Sequence, residues 1–314
     1  MKTRGVLVAF GGNALVERGQ DATLPEQTRR ADELAGRLAV MAGEGWRMVL
    51  VHGNGPQVGN SLIRSEAAIH QVPPLSLDVC VAESQGSIGF LLERALRNAM
   101  RRRRDTPEPV TILTQVLVRS RDPQLKKPTK PVGPYFPRYR ALELRKRRGW
   151  KMVEEQGRGF RRVVPSPRPV EVLGLDSIAE LLRGGRIVIA AGGGGIPVVG
   201  TSRGLRGVEA VIDKDLTAGL LARRLGIDLF VILTDVDGVY ENYGREKERL
   251  IPRLTAGRAR RGIARGEYPA GSMGPKVQAA AEFVRATGRE VIITCARRLA
   301  AALRGTAGTR VVAG

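Results

Sequence analysis

The run VLVAFGGN, residues 6–13, sets the architecture, because five apolar residues in a row stop at two glycines and an asparagine. An unbroken apolar pentad ended by a glycine turn reads as a strand buried on both faces, the kind found in parallel sheets. Residues 48–56, MVLVHGNGP, repeat the pattern, with a second buried strand closing on His52, Gly53, Asn54, Gly55 and Pro56. Between them, residues 25–42 carry Leu34, Leu38 and Met41 on one helical face, and 57–69 read as the next helix. Strand, glycine turn and helix recur within about fifty residues, the spacing of βαβ units, so the chain is α/β. His52, at a strand end, could orient an asparagine or a ligand oxygen, but a lone histidine there more often reads as structural.

Further along, a helix is expected over 83–98 and a strand over 111–118. Residues 186–191 form another buried strand, followed by four glycines, 192–195. So many glycines after a buried strand point to backbone approaching a phosphate or carboxylate, and Gly193 and Gly194 are expected to bind the nucleotide. In VIDKDLTA, residues 211–218, a short apolar run reads as a strand that stops at Asp213, Lys214 and Asp215. A helix then follows, with Leu216, Leu220, Leu221 and Leu225 at helical spacing and Gly226 placed to end it. Either aspartate can cap its first turn. A lysine at such a turn lies where open α/β sheets bind ligands, and a helix start favours anions.

Residues 229–233 read as a strand closing on TDVDGVYENYG, where Asp235 and Asp237 suit a turn before Gly238 as readily as a metal site. In GSMGPK, residues 271–276, Pro275 opens a helix and Lys276 adds positive charge to the positive end of its dipole. That placement is unfavourable unless an anion is bound, which points to a phosphate ligand. Residues 291–294 supply a last strand.

From about 119 to 169 the grammar changes. Pro123, Pro128, Pro131, Pro134 and Pro137 crowd around Lys126, Lys127 and Lys130, so the segment is neither an interior strand nor a helix of the main sheet. Tyr135, Phe136, Tyr139, Trp150 and Phe160 also gather here, which predicts a small folded lobe that holds Lys130 on a proline-stiffened loop.

A hydrophobic fraction of 42% excludes a chain disordered throughout, and the low aromatic fraction of 4% leaves the core to Val, Ile, Leu and Ala. The formal charge of +21 raises nucleic acid or an anionic membrane as partners. The arginine clusters lack the interleaved aromatics of a single-strand stacking surface, so nonspecific electrostatics is the most that the charge implies. No run is long enough to span a membrane. Cys80 and Cys295 lie far apart in apolar surroundings, give no disulfide framework or metal-ligand spacing, and read as core thiols of a soluble cytoplasmic protein.

No GxxxxGK[ST] loop is present, the glycine runs do not fit GxGxxG, and no nucleophile with its base stands out. What remains is glycine turns at strand ends and three lysines on turns, Lys130, Lys214 and Lys276. Amides and lysines clamping oxygen atoms are what phosphoryl transfer asks of a protein. In order, AFGGNAL, HGNGPQVGN, PTKPVGPYF, VVPSPRP, AGGGGIPVV, GVEAVIDKDL and GSMGPKVQAA resemble the carbamate kinases of the amino-acid kinase superfamily over nearly the whole chain.

The resemblance implies a single domain, a three-layer αβα sandwich with a mostly parallel open sheet and a small protruding lobe, usually a homodimer. Residues 1–185, with the insertion at about 119–169, would form the acceptor lobe and 186–314 the nucleotide lobe. The implied reaction is reversible phosphoryl transfer between ATP and carbamate with Mg²⁺, in arginine metabolism. By the same resemblance, Gly11, Gly12, Asn13, Gly53, Asn54 and Gly55 surround the acceptor and the moving phosphoryl group. Lys214 and Lys276 hold phosphate oxygens, Asp215 orients them, and Lys130 reaches in from the lobe. Residues 237–243, notably Asp237, Tyr240 and Tyr243, border the nucleotide with Met273 and Gly274. Asp213 is expected to be structural. The rival expectations are a kinase of another small carboxylate or phosphate acceptor, and a basic nucleic-acid-binding protein that retains the fold.

Overall fold

The computed structural model describes residues 4–12, 15, 23–103, 106–155, 157–269 and 271–314. Its centre is an eight-stranded sheet of β1 (Gly5–Phe10), β2 (Arg47–His52), β3 (Pro109–Thr111), β4 (Ile187–Ile189), β5 (Leu229–Thr234), β6 (Arg253–Thr255), β7 (Val291–Cys295) and β8 (Thr309–Val312). The order is β6-β8-β7-β5-β1-β2-β4-β3, and every neighbouring pair is parallel except β7 with β8.

Side-chain alternation along these strands divides the core in two. Val6, Val8 and Phe10 of β1 share one cluster with Leu34 and Leu38 of α1 (Leu24–Gly43) and Ile88 and Leu92 of α3 (Leu77–Met100). The short α9 (Leu299–Leu303) closes the same side. Leu7 and Ala9 belong to the opposite cluster. It is filled by Ile178 of α5 (Leu175–Arg183), Leu221 of α6 (Lys214–Arg224), Ala259 of α7 (Ala256–Ala264) and Phe283 of α8 (Met273–Thr287). Both faces of the strands are therefore covered, which makes the expected αβα sandwich and explains why the strands are unbroken apolar runs.

Some local expectations are corrected. Residues 111–118 are two strands in different sheets. The chain leaves β3 at Thr111, turns at Thr114, and joins a four-stranded sheet as Gln115–Val118 beside Ile196–Thr201 and Pro169–Val172. Residues 211–213 are not a strand. Ala210, Val211 and Ile212 are buried, but the Val211 amide donates to the carbonyl of Pro165, outside any sheet. A short apolar run reports burial and cannot by itself report strand pairing. The helix expected from residue 83 starts earlier, at Leu77, where Glu209 accepts from the Leu77 amide at 2.7 Å.

Three antiparallel strands, Lys130–Phe136, Gly159–Val164 and Lys151–Glu155, form the protruding lobe with α4 (Arg138–Arg148). Its aromatics make its packing. Phe136 meets Trp150 edge to face at 6.3 Å, the Arg162 guanidinium lies 4.3 Å over the Trp150 ring, and that of Arg145 lies 5.7 Å over Phe160. At its root, Val132 and Val164 pack with Val58 and Leu62 of α2 (Gly55–Ala67), and Arg140 and Arg148 both reach Glu66.

Candidate active site

The turns after β1, β2 and β4 leave the sheet at the carboxyl ends of adjacent strands, where α/β sheets bind ligands. Glycine is what lets these turns meet. A Cβ on Gly53 would sit 2.5 Å from the backbone nitrogen of Gly12, and one on Gly12 would sit 2.8 Å from Pro56 Cδ. A Cβ on Gly193 would clash with the Asn54 amide group, and one on Gly194 with the Ile212 carbonyl oxygen. Turns 11–12, 53–55 and 192–195 and the segment leading to Asp213 thus form one continuous wall. Asn13 lies outside the described residues.

The turn 192–195 winds through positive φ at Ala191 (51°), Gly193 (69°), Gly194 (95°) and Gly195 (91°). Alanine is rare in this region, so the turn needs support. Gln85 Nε2 donates to the Gly192 carbonyl at 2.9 Å, Thr114 Oγ1 accepts from the Ala191 amide at 2.9 Å, and Thr217 Oγ1 donates to the Gly194 carbonyl at 2.8 Å. With those groups tied from below, the Gly194 and Gly195 amides close the turn on the Ala191 and Gly192 carbonyls, each at 3.0 Å, and among the described residues no backbone carbonyl accepts from the Gly192 and Gly193 amides. The amide of Asn54 donates to Ser84 Oγ at 2.8 Å and is held in the same way. Gln85, Thr114 and Thr217 were not singled out in the sequence; the available signal is a polar side chain on an otherwise apolar helix face or strand end.

The three lysines converge on two carboxylates. Lys214 is the first residue of α6, and its Nζ donates to Asp215 Oδ1 at 2.6 Å. Lys276, in the first turns of α8, donates to Asp215 Oδ2 at 3.2 Å and to the Ser272 carbonyl at 3.3 Å. Lys130, expected on a loop, instead opens the lobe's first strand, paired with Val164, and donates to Asp213 Oδ2 at 2.8 Å. Asp213 Oδ1 accepts from the Asp215 amide at 3.0 Å and caps α6. Asp213 therefore does more than the expected capping, because it also ties the lobe's lysine to the site.

Burial and the neighbouring ammonium of Lys276 hold the Lys214 pKa below the usual lysine range, against the pull of Asp215. Burial pushes the Asp215 carboxyl up. The two lysines and their hydrogen bonds outweigh that effect and bring it down to about 2, so it is ionised at neutral pH. Three ammonium groups against two carboxylates leave the cluster with a net positive charge.

His52 is buried beneath this wall, and burial lowers its pKa to about 4, opposed by its bond to the Gly53 carbonyl. Nδ1 lies 3.0 Å from that carbonyl oxygen and so carries the proton. The unfolded ring titrates at 6.5, so below that pH the unfolded chain takes up a proton that the folded chain does not. Stability from this group is full above pH 6.5 and falls toward pH 4, by on the order of 3 kcal/mol in all. His52→Asn is expected to flatten the decline of Tm between about pH 6.5 and 4.5. An unchanged slope would assign the decline to other groups.

The remaining expected residues divide into two groups. Tyr240 and Tyr243, with ring centroids 5.8 Å apart, line a cavity of about 850 Å³ with Arg258, Tyr268 and Pro269. The Gly274 amide donates to the Pro269 carbonyl at 2.9 Å, so the start of α8, where Met273 and Lys276 stand, is tied to the cavity wall. Asp237 is engaged elsewhere, accepting from Cys295 Sγ at 3.1 Å and pairing with Arg298 at 3.1 Å.

The model of the amino acid kinase family matches residues 4–295. A carbamate kinase of Pyrococcus horikoshii is 43% identical, with 98% of each chain covered, and one of Trichomonas vaginalis is 40% identical over 98% of this chain and 99% of its own. Among solved structures, a carbamate kinase from Giardia lamblia bound to AMP-PNP superposes with a TM-score of 0.93 at 37% identity, covering 100% of this chain and 99% of the other. A protein from Aeropyrum pernix K1 gives a TM-score of 0.94 at 44% identity, covering 99% of this chain and 100% of the other. A converging set of glycine turns and paired lysines, on a chain this similar from end to end, makes it a member of the amino acid kinase family and, within that family, of the carbamate kinases.

Proposed function

We propose that the chain transfers a phosphoryl group reversibly between ATP and carbamate, giving ADP and carbamoyl phosphate. The observation that carries this reading is the Asp215 carboxylate bridging Lys214 and Lys276 while Lys130 enters the same site from the lobe. Carbamate brings an oxygen that is already anionic, so the reaction needs no general base. It needs two anions brought together and the charge on the moving phosphoryl group neutralised. Lys214 and Lys276 hold phosphoryl oxygens, and Lys130 covers them from the lobe. The Gly192 and Gly193 amides face the same oxygens, in the wall that turns 11–12 and 53–55 complete. Base and ribose lie along Tyr240, Tyr243 and Met273.

Mg²⁺ comes with the nucleotide phosphates. Among the described residues no group of three or more His, Cys, Asp or Glu side chains is placed to hold an ion, and both site aspartates accept from lysines. Run toward ATP, the reaction closes an arginine-degrading route of the cytoplasm; no described helix is long and apolar enough to cross a membrane.

ADP, Mg²⁺ and either carbamoyl phosphate or acetyl phosphate, assayed side by side for ATP, test the acceptor. ATP from carbamoyl phosphate at least tenfold faster is the expected result. Faster ATP formation from acetyl phosphate would assign the site to another acceptor. No ATP from either, with salt-sensitive RNA binding, would favour the nucleic-acid reading.

A homodimer completes the proposal. Phe90 of α3 and Leu113, each 62% exposed, flank the sheet's edge strand β3, where Gly89 meets Thr111, and large apolar side chains beside an edge suit a second copy. The double variant Phe90→Glu, Leu113→Glu is expected to sediment as a monomer while the parent sediments as a dimer. A variant that stays dimeric would move the interface elsewhere.

A further inference from the structure

The two oxygens of Asp213 serve different partners. Oδ1 caps α6 through the Asp215 amide, and Oδ2 accepts from Lys130 Nζ at 2.8 Å. The cap requires a side-chain acceptor but no charge, since asparagine caps as well as aspartate does. The charge has its use in Lys130. That lysine lies between Pro128 and Pro131, so its backbone is stiff, but its four-carbon side chain loses considerable freedom when fixed. The Asp213 side chain is 11% exposed and that of Lys130 32%, so the acid is fixed in the wall and the base arrives from outside.

The lobe has other polar holds on the sandwich. Glu66 takes Arg140 and Arg148, and Glu209 takes Arg162. None of these involves a site lysine, so the lobe's docking does not depend on Asp213 alone. The carboxylates are instead shared out by lysine, with Asp215 serving Lys214 and Lys276 and Asp213 serving Lys130.

We propose that Asp213 is the positioning residue for Lys130, holding its ammonium at the wall of the site without itself touching substrate. The inference rests on the reading of Lys130 as part of the phosphoryl clamp. A residue that acts only as a cap would contribute independently of Lys130, whereas a positioning residue loses its effect once Lys130 is gone.

The test is a double-mutant cycle in the full-length protein, with Asp213→Asn, Lys130→Met and the pair, read as kcat/KM for ATP formation and as hydrogen exchange over residues 130–136. Asp213→Asn keeps the cap, so its Tm is expected within a few degrees of the parent. Its kcat/KM is expected to fall at least about tenfold, and the double variant to lie within about twofold of Lys130→Met. Exchange over 130–136 is expected to rise in both single variants. Effects that multiply in the double variant, or an Asp213→Asn enzyme within twofold of the parent, overturn the proposal. If the parent forms no ATP, the kinase reading has failed and the exchange measurement decides alone: faster exchange in Asp213→Asn supports the positioning role, and unchanged exchange overturns it. Should Asp213→Asn not fold, unchanged exchange in Lys130→Met overturns it as well.

Discussion

Lys214→Ala is expected to lower turnover at least about a hundredfold while the protein stays folded. The size follows from what one preorganised charge is worth in a site shielded from water, about 3 kcal/mol of transition-state stabilisation per donor. Lys214 is such a donor, fixed at the start of α6 by Asp215. Stability is expected to change little, for two opposing reasons. The variant removes a buried ammonium whose burial disfavours the charge it carries. It also takes one of two cations from Asp215, but that carboxylate keeps Lys276 and its place in the first turn of a helix, where negative charge is favoured. A folded variant with near-normal turnover would remove Lys214 from the mechanism.

How far the sequence carried the site depends on how local each feature is. The apolar pentads and the glycines that end them need no distant partner to be read, so β1, β2, β4 and their turns were legible. A lysine at a helix start is electrostatically misplaced without an anion, which marks Lys276 in the sequence; the structure supplies such an anion in Asp215, at 3.2 Å. Asp213 was read as a cap, and it is one, but its second bond goes to Lys130, 83 residues away, and no local pattern announces a contact at that distance. Gln85, Thr114 and Thr217 are hidden for the same reason, since each supports a glycine turn from a different element. The strand expected at 211–213 failed differently. Its side chains are buried beneath neighbouring segments, and burial alone produced the apolar run.

Gly53→Ala is the second variant with a large expected effect. Its Cβ would lie 2.5 Å from the Gly12 nitrogen and 3.0 Å from the Gly11 carbonyl carbon, so backbone faces backbone and no side chain can swing away. The turns after β1 and β2 must separate. Overpacking of this kind costs about 2 kcal/mol, which in a chain of this size lowers the Tm by about 5 °C. The larger effect is on chemistry. The separated turns no longer complete the wall that faces the phosphoryl group, and a displacement of about 1 Å is enough to cost about a hundredfold in kcat/KM. Gly55→Ala is the control for stability, because a Cβ there meets nothing within 4 Å, and its Tm is expected near that of the parent. Equal Tm values for the two variants would mean that turns 11–12 and 53–55 are not in contact.

The most direct measurement follows the phosphorus itself. Phosphorus-31 NMR of the purified protein with ADP, Mg²⁺ and carbamoyl phosphate should show the carbamoyl phosphate resonance replaced by the γ-phosphate of ATP, and the same mixture with Lys214→Ala should show almost none of that exchange. Loss of carbamoyl phosphate to inorganic phosphate at equal rates with and without the protein, with no ATP resonance, would contradict the phosphoryl clamp.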